Sequence, residues 1–217
     1  MPGYVLHLTA ARMYLDRLPA DDPICADRTA QNDFFVGNLL PDTVKAKRRS
    51  HFRLSQYEDR MMIWPHPELF RGKYRNLMDR PVCRGYDFHL YIDKRFFQEY
   101  IPRVAEFYDR NGEITEVKSE IARVRLKKNG EEISPERYLS EEYYYGDYTK
   151  MNTWLYQKFE LPRRLLPAEN PGIEEADFGA VEGVMKLLEE YRSTPEEAVN
   201  DLKVFDAEDL LAFLENA

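Results

Sequence analysis

The stretch Gly85-Tyr86-Asp87-Phe88-His89-Leu90-Tyr91-Ile92-Asp93-Lys94 decides how the rest of the chain is read. It predicts a helix that starts between Met78 and Arg84 and runs past Phe97. Residues four apart on a helix project from one face, so His89 and Asp93 would present an imidazole and a carboxylate from adjacent turns. That pairing is half of a metal site.

The chain has four histidines, and two of the others fall in informative places. His7 lies in the first amphipathic turn, and His51 follows a helix-end signal at Pro41-Asp42. Together His7, Asp42, His51, His89 and Asp93 form a nitrogen and oxygen ligand set suited to zinc, with manganese or iron as alternatives. A His/Asp pair at i and i+4 is by itself often a local charge pair. The second element changes the weighing, because Gly37-Asn38-Leu39-Leu40-Pro41-Asp42 and Ser50-His51-Phe52 otherwise have no shared purpose.

Composition bounds what such a site belongs to. With 217 residues and 43% hydrophobic content, the chain can bury a substantial core. A net charge of -8 argues against a nucleic-acid partner, and the basic cluster Lys45, Lys47, Arg48 and Arg49 reads better as a solvated helix face. Two cysteines, Cys25 and Cys83, are too few for a disulfide framework and lack metal-binding spacing. The start, Met1 to Leu8, has no basic region before a long apolar run, and no stretch approaches the roughly 20 apolar residues of a membrane span. The expectation is a cytoplasmic protein with no stable membrane insertion.

Helix signals outnumber strand signals. Val5, Leu8, Ala11, Leu15 and Leu18 follow a helical period closed by Pro19 and Asp21-Asp22-Pro23. A second helix covers Arg28 to Leu40, and residues 43 to 60 continue irregularly or helically. Trp64-Pro65-His66-Pro67 must be extended. Ile101 to Tyr108 reads as a continuation of the His89 helix or a bent partner around Pro102, ended by Asn111-Gly112. Between Ile121 and Ile133, the Asn129-Gly130 turn signal predicts the one short β-hairpin, in competition with a helix over Ile114 to Leu126. Ser134-Pro135-Glu136 starts a helix, and Met151, Leu155 and Phe159 mark an amphipathic one ending before Pro162.

Residues 161 to 173 have the composition of a linker. Beyond them lie three short acidic amphipathic helices, near 174 to 192, 195 to 203 and 207 to 216. The reading is therefore a helical metal-binding domain over 1–165 and a small helical appendage over 174–217, with one continuous core as the alternative. The aromatic run Tyr143, Tyr144, Tyr145 and Tyr148 is expected to fill core space rather than stack on a ligand, and Trp64 and His66 to sit in an ordered loop rather than a substrate rim.

The quoted elements resemble the bacterial zinc-dependent phospholipase C-like proteins. The likeness rests on His7, Gly37 to Asp42, Ser50 to Phe52 and Gly85 to Asp93, and covers roughly residues 4 to 108. It implies an all-α, phospholipase C-like bundle in which Asp42, His51, His89 and Asp93 bind one zinc and Asp93 bridges to a second ion held partly by His7. The resemblance further implies hydrolysis of phosphodiester bonds, and the expected activity of this chain is metal-dependent hydrolysis of a phosphate ester.

Metal bound by such ligands acidifies a coordinated water, with Asp42 or Asp93 available to take its proton. A small phosphorylated substrate would need a cation from Lys45, Arg48, Arg49 or Arg53, with Arg53 preferred. An HD-type phosphohydrolase is disfavoured because His51 is followed by Phe52 rather than Asp. A non-catalytic helical protein with a structural metal site, or a metal-free interaction module, are the rival classes.

Overall fold

The computed structural model describes residues 3–217; Met1 and Pro2, on which the expectation about a targeting signal partly rests, lie outside it. The chain is mostly helical: α1 (Tyr4–Arg17), α2 (Pro23–Ala26), α3 (Arg28–Leu39), α4 (Lys47–Ser50), α5 (Pro67–Lys73), α6 (Pro81–Arg95), α7 (Ile101–Val104), β1 (Ala105–Tyr108), β2 (Arg123–Leu126), β3 (Glu132–Ile133), α8 (Pro135–Tyr138), α9 (Tyr144–Lys158), α10 (Val181–Tyr191) and α11 (Ala207–Glu215). Among the described residues, no helix is long and apolar enough to cross a membrane.

α1 is the central helix. Its residues from Val5 to Ala11 are all buried, and it packs against α3, α6, α9 and α11. A helix covered on every side buries whatever its sequence places there. Fully burying a side chain such as Leu8 stabilises by about 1.5–3 kcal/mol. Enclosing His7 without a partner would cost a comparable amount, about 1–3 kcal/mol, so its retention there calls for a role.

α3 and α6 form the most extensive helix pair, and two glycines let them meet. A Cβ on Gly37 would lie 2.0 Å from the Val82 carbonyl oxygen, and one on Gly85 would lie 2.0 Å from that of Phe34. Only a residue without a side chain permits this backbone approach. At the far end of α6, Phe96–Tyr100 widens into a π-helical turn before α7. Pro102 has no N–H to donate back to Gln98, and the wider turn accommodates that gap.

The fold is mainly helical as expected, but the limit of one hairpin is exceeded. The hairpin forms as β2 and β3, with Gly130 at φ 75° in its turn, and the competing helix over Ile114 to Leu126 does not. A further strand, β1, makes a three-stranded antiparallel sheet in the order β1-β2-β3, pairing Ala105 with Leu126 and Phe107 with Val124. β1 lies within Ile101 to Tyr108, read above as helix. Four residues are too short for local periodicity to decide, and pairing with β2 wins. Asn111-Gly112 accordingly turns the chain after a strand, with Gly112 at φ 87°.

Other boundaries shift less. The helix expected from 174 starts at Val181 after a 3-10 turn, and the one expected over 195 to 203 is the 3-10 segment Glu196–Asp201. Residues 43 to 60 contain the short α4, a 3-10 turn at Ser55–Tyr57 and an isolated antiparallel bridge from Arg60 to Val117. Val204, Phe205, Leu210, Phe213 and Leu214 share one hydrophobic cluster with Leu8, Phe96 and Tyr144. The buried Asp147 carboxylate of α9 accepts from the backbone N–H groups of Lys203, Val204 and Phe205 at 2.7–3.0 Å.

Candidate metal centre

Four separate elements deliver the candidate ligands. His7 comes from the first turns of α1, and Asp42 from the 3-10 turn Leu40–Asp42 that ends α3. His51 caps the C-terminus of α4, and His89 and Asp93 project from one face of α6. Phe52, next to His51, adopts a left-handed φ of 50° and packs its ring against Phe70. That backbone reversal costs about 1 kcal/mol for a residue with a side chain. It turns His51 inward while Arg53 follows on another path.

Within the cluster, His7, His51, His89 and Asp93 are each 0% exposed. Nε2 of His51 lies 3.2 Å from Nε2 of His89, 3.4 Å from Asp93 Oδ2 and 3.5 Å from Asp42 Oδ1. His7 Nε2 is 3.3 Å from Asp93 Oδ1, and the His7 ring stacks on His89 with centroids 3.7 Å apart.

The outer nitrogens show which atoms are free to bind. His89 Nδ1 stands 2.8 Å from the Asn38 carbonyl oxygen, and His51 Nδ1 stands 3.1 Å from that of Lys47, with the Ser50 hydroxyl beside it at 3.0 Å. A carbonyl only accepts, so each Nδ1 carries the hydrogen and each Nε2 keeps a lone pair. Two lone pairs then face each other. Burial pushes His51 down to about 4, against the opposing pull of Asp42 and Asp93, and burial holds His89 well below its usual value. At neutral pH neither ring supplies a proton to the gap.

A cation resolves this arrangement. Ligand atoms about 2.0–2.2 Å from a tetrahedral ion are separated from one another by about 3.4 Å, which matches the 3.2–3.5 Å spacings around His51 Nε2. Both nitrogens of His7 and both oxygens of Asp93 are buried without a hydrogen-bond partner; the 3.3 Å approach of His7 to Asp93 lacks hydrogen-bond alignment. Burial would raise the Asp93 carboxyl, but His7, His89 and His51 outweigh it and hold it well below the usual range. Burial likewise acts upward on Asp42, and the imidazoles with Lys47 bring it down to about 2. This buried His/Asp cluster can therefore hold a metal ion.

The remaining histidine and both cysteines stand apart. His66 pairs with Glu68 at 2.9 Å, Cys25 donates to the Leu15 carbonyl, and Cys83 is buried in a second apolar cluster.

Beside the centre opens a cavity of ≈ 530 Å³, whose lining includes Asp42, Lys47, Arg53, Met62, Tyr144 and Tyr148. Of the cations expected near a phosphate, Arg53 lines it, with its Nε buried and unpartnered. The other three do not line it: Lys45 is exposed, Arg48 bonds Glu58 at 2.7 Å, and Arg49 reaches towards Glu174 at 3.8 Å. Lys47, read above only as part of a solvated face, lines the cavity and donates to Asp42 Oδ1 at 2.6 Å and to its carbonyl at 2.7 Å. Tyr143, Tyr144 and Tyr148 are buried as expected of core residues, but Tyr145, grouped with them above, is 42% exposed; it lines the cavity, and so do the buried Tyr144 and Tyr148. Their i, i+4 spacing on α9 was the one hint of a shared face.

Comparison with protein-family models, with curated proteins and with solved structures returns no match.

Proposed function

We propose that this chain is a metal-dependent hydrolase of a phosphate ester, as its motif resemblance to zinc-dependent phospholipase C-like proteins implies. The observation that carries the reading is the adjacency of the buried His/Asp cluster to a cavity bearing Arg53 and Lys47. A divalent ion in the cluster would supply Lewis acidity and acidify a coordinated water.

The chain's own residues divide the remaining work. Arg53, which feels Asp93 and Asp42 without forming a close ion pair with either, neutralises charge on the phosphoryl oxygens. Asp42 is the one candidate ligand that also lines the cavity, so it stands where a proton leaves the water. Ionised at any pH above about 2, it is a weak base, and the acidity must come mainly from the ion. Asp93, enclosed among three imidazoles, serves as a ligand rather than a proton acceptor. Lys47 positions Asp42 through its two donated bonds.

A net charge of -8 opposes approach to an anionic lipid surface, which favours a soluble ester over bilayer lipid. The second reading is a structural metal site, favoured by the complete burial of His7, His51, His89 and Asp93. A panel of soluble phosphomonoesters and phosphodiesters, assayed with zinc, manganese or iron, separates the two. Turnover lost in Asp42→Asn and Arg53→Ala supports the hydrolase; a metal-loaded protein inert on every ester supports the structural site.

A further inference from the structure

Three polar atoms on residues that line the cavity have no hydrogen-bond partner. The hydroxyls of Tyr144 and Tyr148 and Nε of Arg53 are all buried and unsatisfied, and all three residues line the same cavity as Asp42. Tyr144 is 2% and Tyr148 8% exposed. Arginine can only donate, and a tyrosine hydroxyl donates one hydrogen. Such a set lacks an acceptor, and an anion is nothing but acceptors.

The wall is also rigid. Tyr144 and Tyr148 sit one turn apart on α9 with ring centroids 5.0 Å apart. Phe205 backs both, at 5.5 and 5.3 Å, and Tyr138 backs Tyr144 at 5.4 Å. Because α9 begins at Tyr144, the positive end of its macrodipole lies at the same wall. Donors held in place before a ligand arrives need no reorganisation when it binds.

We propose that Tyr144, Tyr148 and Arg53 form the receptor for a tetrahedral oxyanion, the phosphoryl group of the substrate ester, held beside the metal centre. The proposal rests on the phosphate-ester reading and adds to it the residues that bind the phosphoryl oxygens. Three donors suit the phosphoryl group of a phosphomonoester, with three non-bridging oxygens, better than a phosphodiester or a planar carboxylate with two. Neither tyrosine need change ionisation, since each acts as a neutral donor.

The test is calorimetric titration of the metal-loaded protein with inorganic phosphate, and with acetate, in wild type and in Tyr144→Phe, Tyr148→Phe and the double variant. Phosphate should bind more tightly than acetate; each single variant should weaken phosphate binding by roughly tenfold to a hundredfold, the effect of losing one hydrogen bond to a charged group, and the double variant by roughly a hundredfold or more. Metal content should not change. The thermal midpoint of the unliganded variants should equal or exceed that of wild type, because the substitution removes a buried hydroxyl that bonds to nothing.

Absence of phosphate binding, equal affinity for acetate, unchanged affinity in the double variant, or a lowered thermal midpoint would each overturn the receptor. Its failure is distinguishable from that of the hydrolase. Phosphate bound through the tyrosines without turnover of any ester removes only the enzyme, and turnover with a KM indifferent to both tyrosines removes only the receptor.

Discussion

Gly37 on α3 and Gly85 on α6 meet backbone to backbone, with no room for a Cβ on either, and the next residue of α3, Asn38, gives its carbonyl to His89 one turn along α6. The helix crossing and the orientation of a candidate ligand thus share one contact. The side-chain amide of the fully buried Asn38 also donates a hydrogen bond to the Gly85 carbonyl at 3.4 Å, fastening the two helices at the same point.

Alanine at either glycine should therefore be severely destabilising, by about 3 kcal/mol or more, since the clash is with backbone that cannot rotate away. Urea unfolding of Gly37→Ala and Gly85→Ala measures it. Gly183, where an added Cβ meets nothing within 4 Å, is the control, and Gly183→Ala in the first turn of α10 should stabilise slightly. Equal midpoints for Gly37→Ala and wild type would contradict the crossing geometry.

Metal content checks the cluster directly. Protein purified without chelator should carry near-stoichiometric transition metal, and the double substitution His89→Ala, Asp93→Ala should abolish it. Elemental analysis by mass spectrometry reads the outcome. Chelation of wild type should also lower its thermal midpoint, because an ion bound only by the folded state stabilises that state.

Acid should weaken the metal-free protein. His51 titrates near 4 when folded against 6.5 for the free group, so between those values the unfolded chain holds a proton that the folded one refuses. Stability is then full above 6.5, falls as the pH drops towards 4, and has no further loss from this group below that. His89 acts in the same direction. Asp42, at about 2 when folded against 3.8, adds a second loss as pH falls through that lower range. His51 alone implies a loss of roughly 2 kcal/mol between about pH 7.5 and about pH 5. Urea midpoints of the chelated protein at those two values should differ accordingly; equal midpoints, or a higher one at the lower pH, would contradict the assignment.

Asp147 fastens the C-terminal segment. Burial pushes its carboxyl up, and the backbone N–H groups of Lys203, Phe205 and Val204 act against that push. Asp147→Ala would strand all three donors in the interior, at a cost of about 3–5 kcal/mol. Limited proteolysis should then cleave near residues 196 to 206 far faster than in wild type, and Asp147→Asn, which keeps one acceptor oxygen, should fall between the two.

Much of this architecture is legible along the chain. The helical periods of α1, α3, α6 and α9, the proline and glycine punctuation between them, and the Asn129-Gly130 turn are local properties, settled within a few residues. The His89/Asp93 pair is legible for the same reason, since helical spacing alone puts both on one face. Gly37 and Gly85 stand out as motif residues in the sequence, but their purpose does not, because a close approach involves a second helix.

Tertiary structure decided what depends on distant partners. β1 is a strand only because β2 lies beside it, and the helix expected there had no local rival strong enough to displace it. Of several cations near Asp42, only Arg53 and Lys47 line the cavity, a choice made by the short α4 and the left-handed Phe52 rather than by composition. Tyr144 and Tyr148 read as core and are buried as core, yet they also carry unpaired hydroxyls at a cavity wall. Periodicity tells which face of a helix is covered; what stands across from that face is set by packing between segments far apart in the chain.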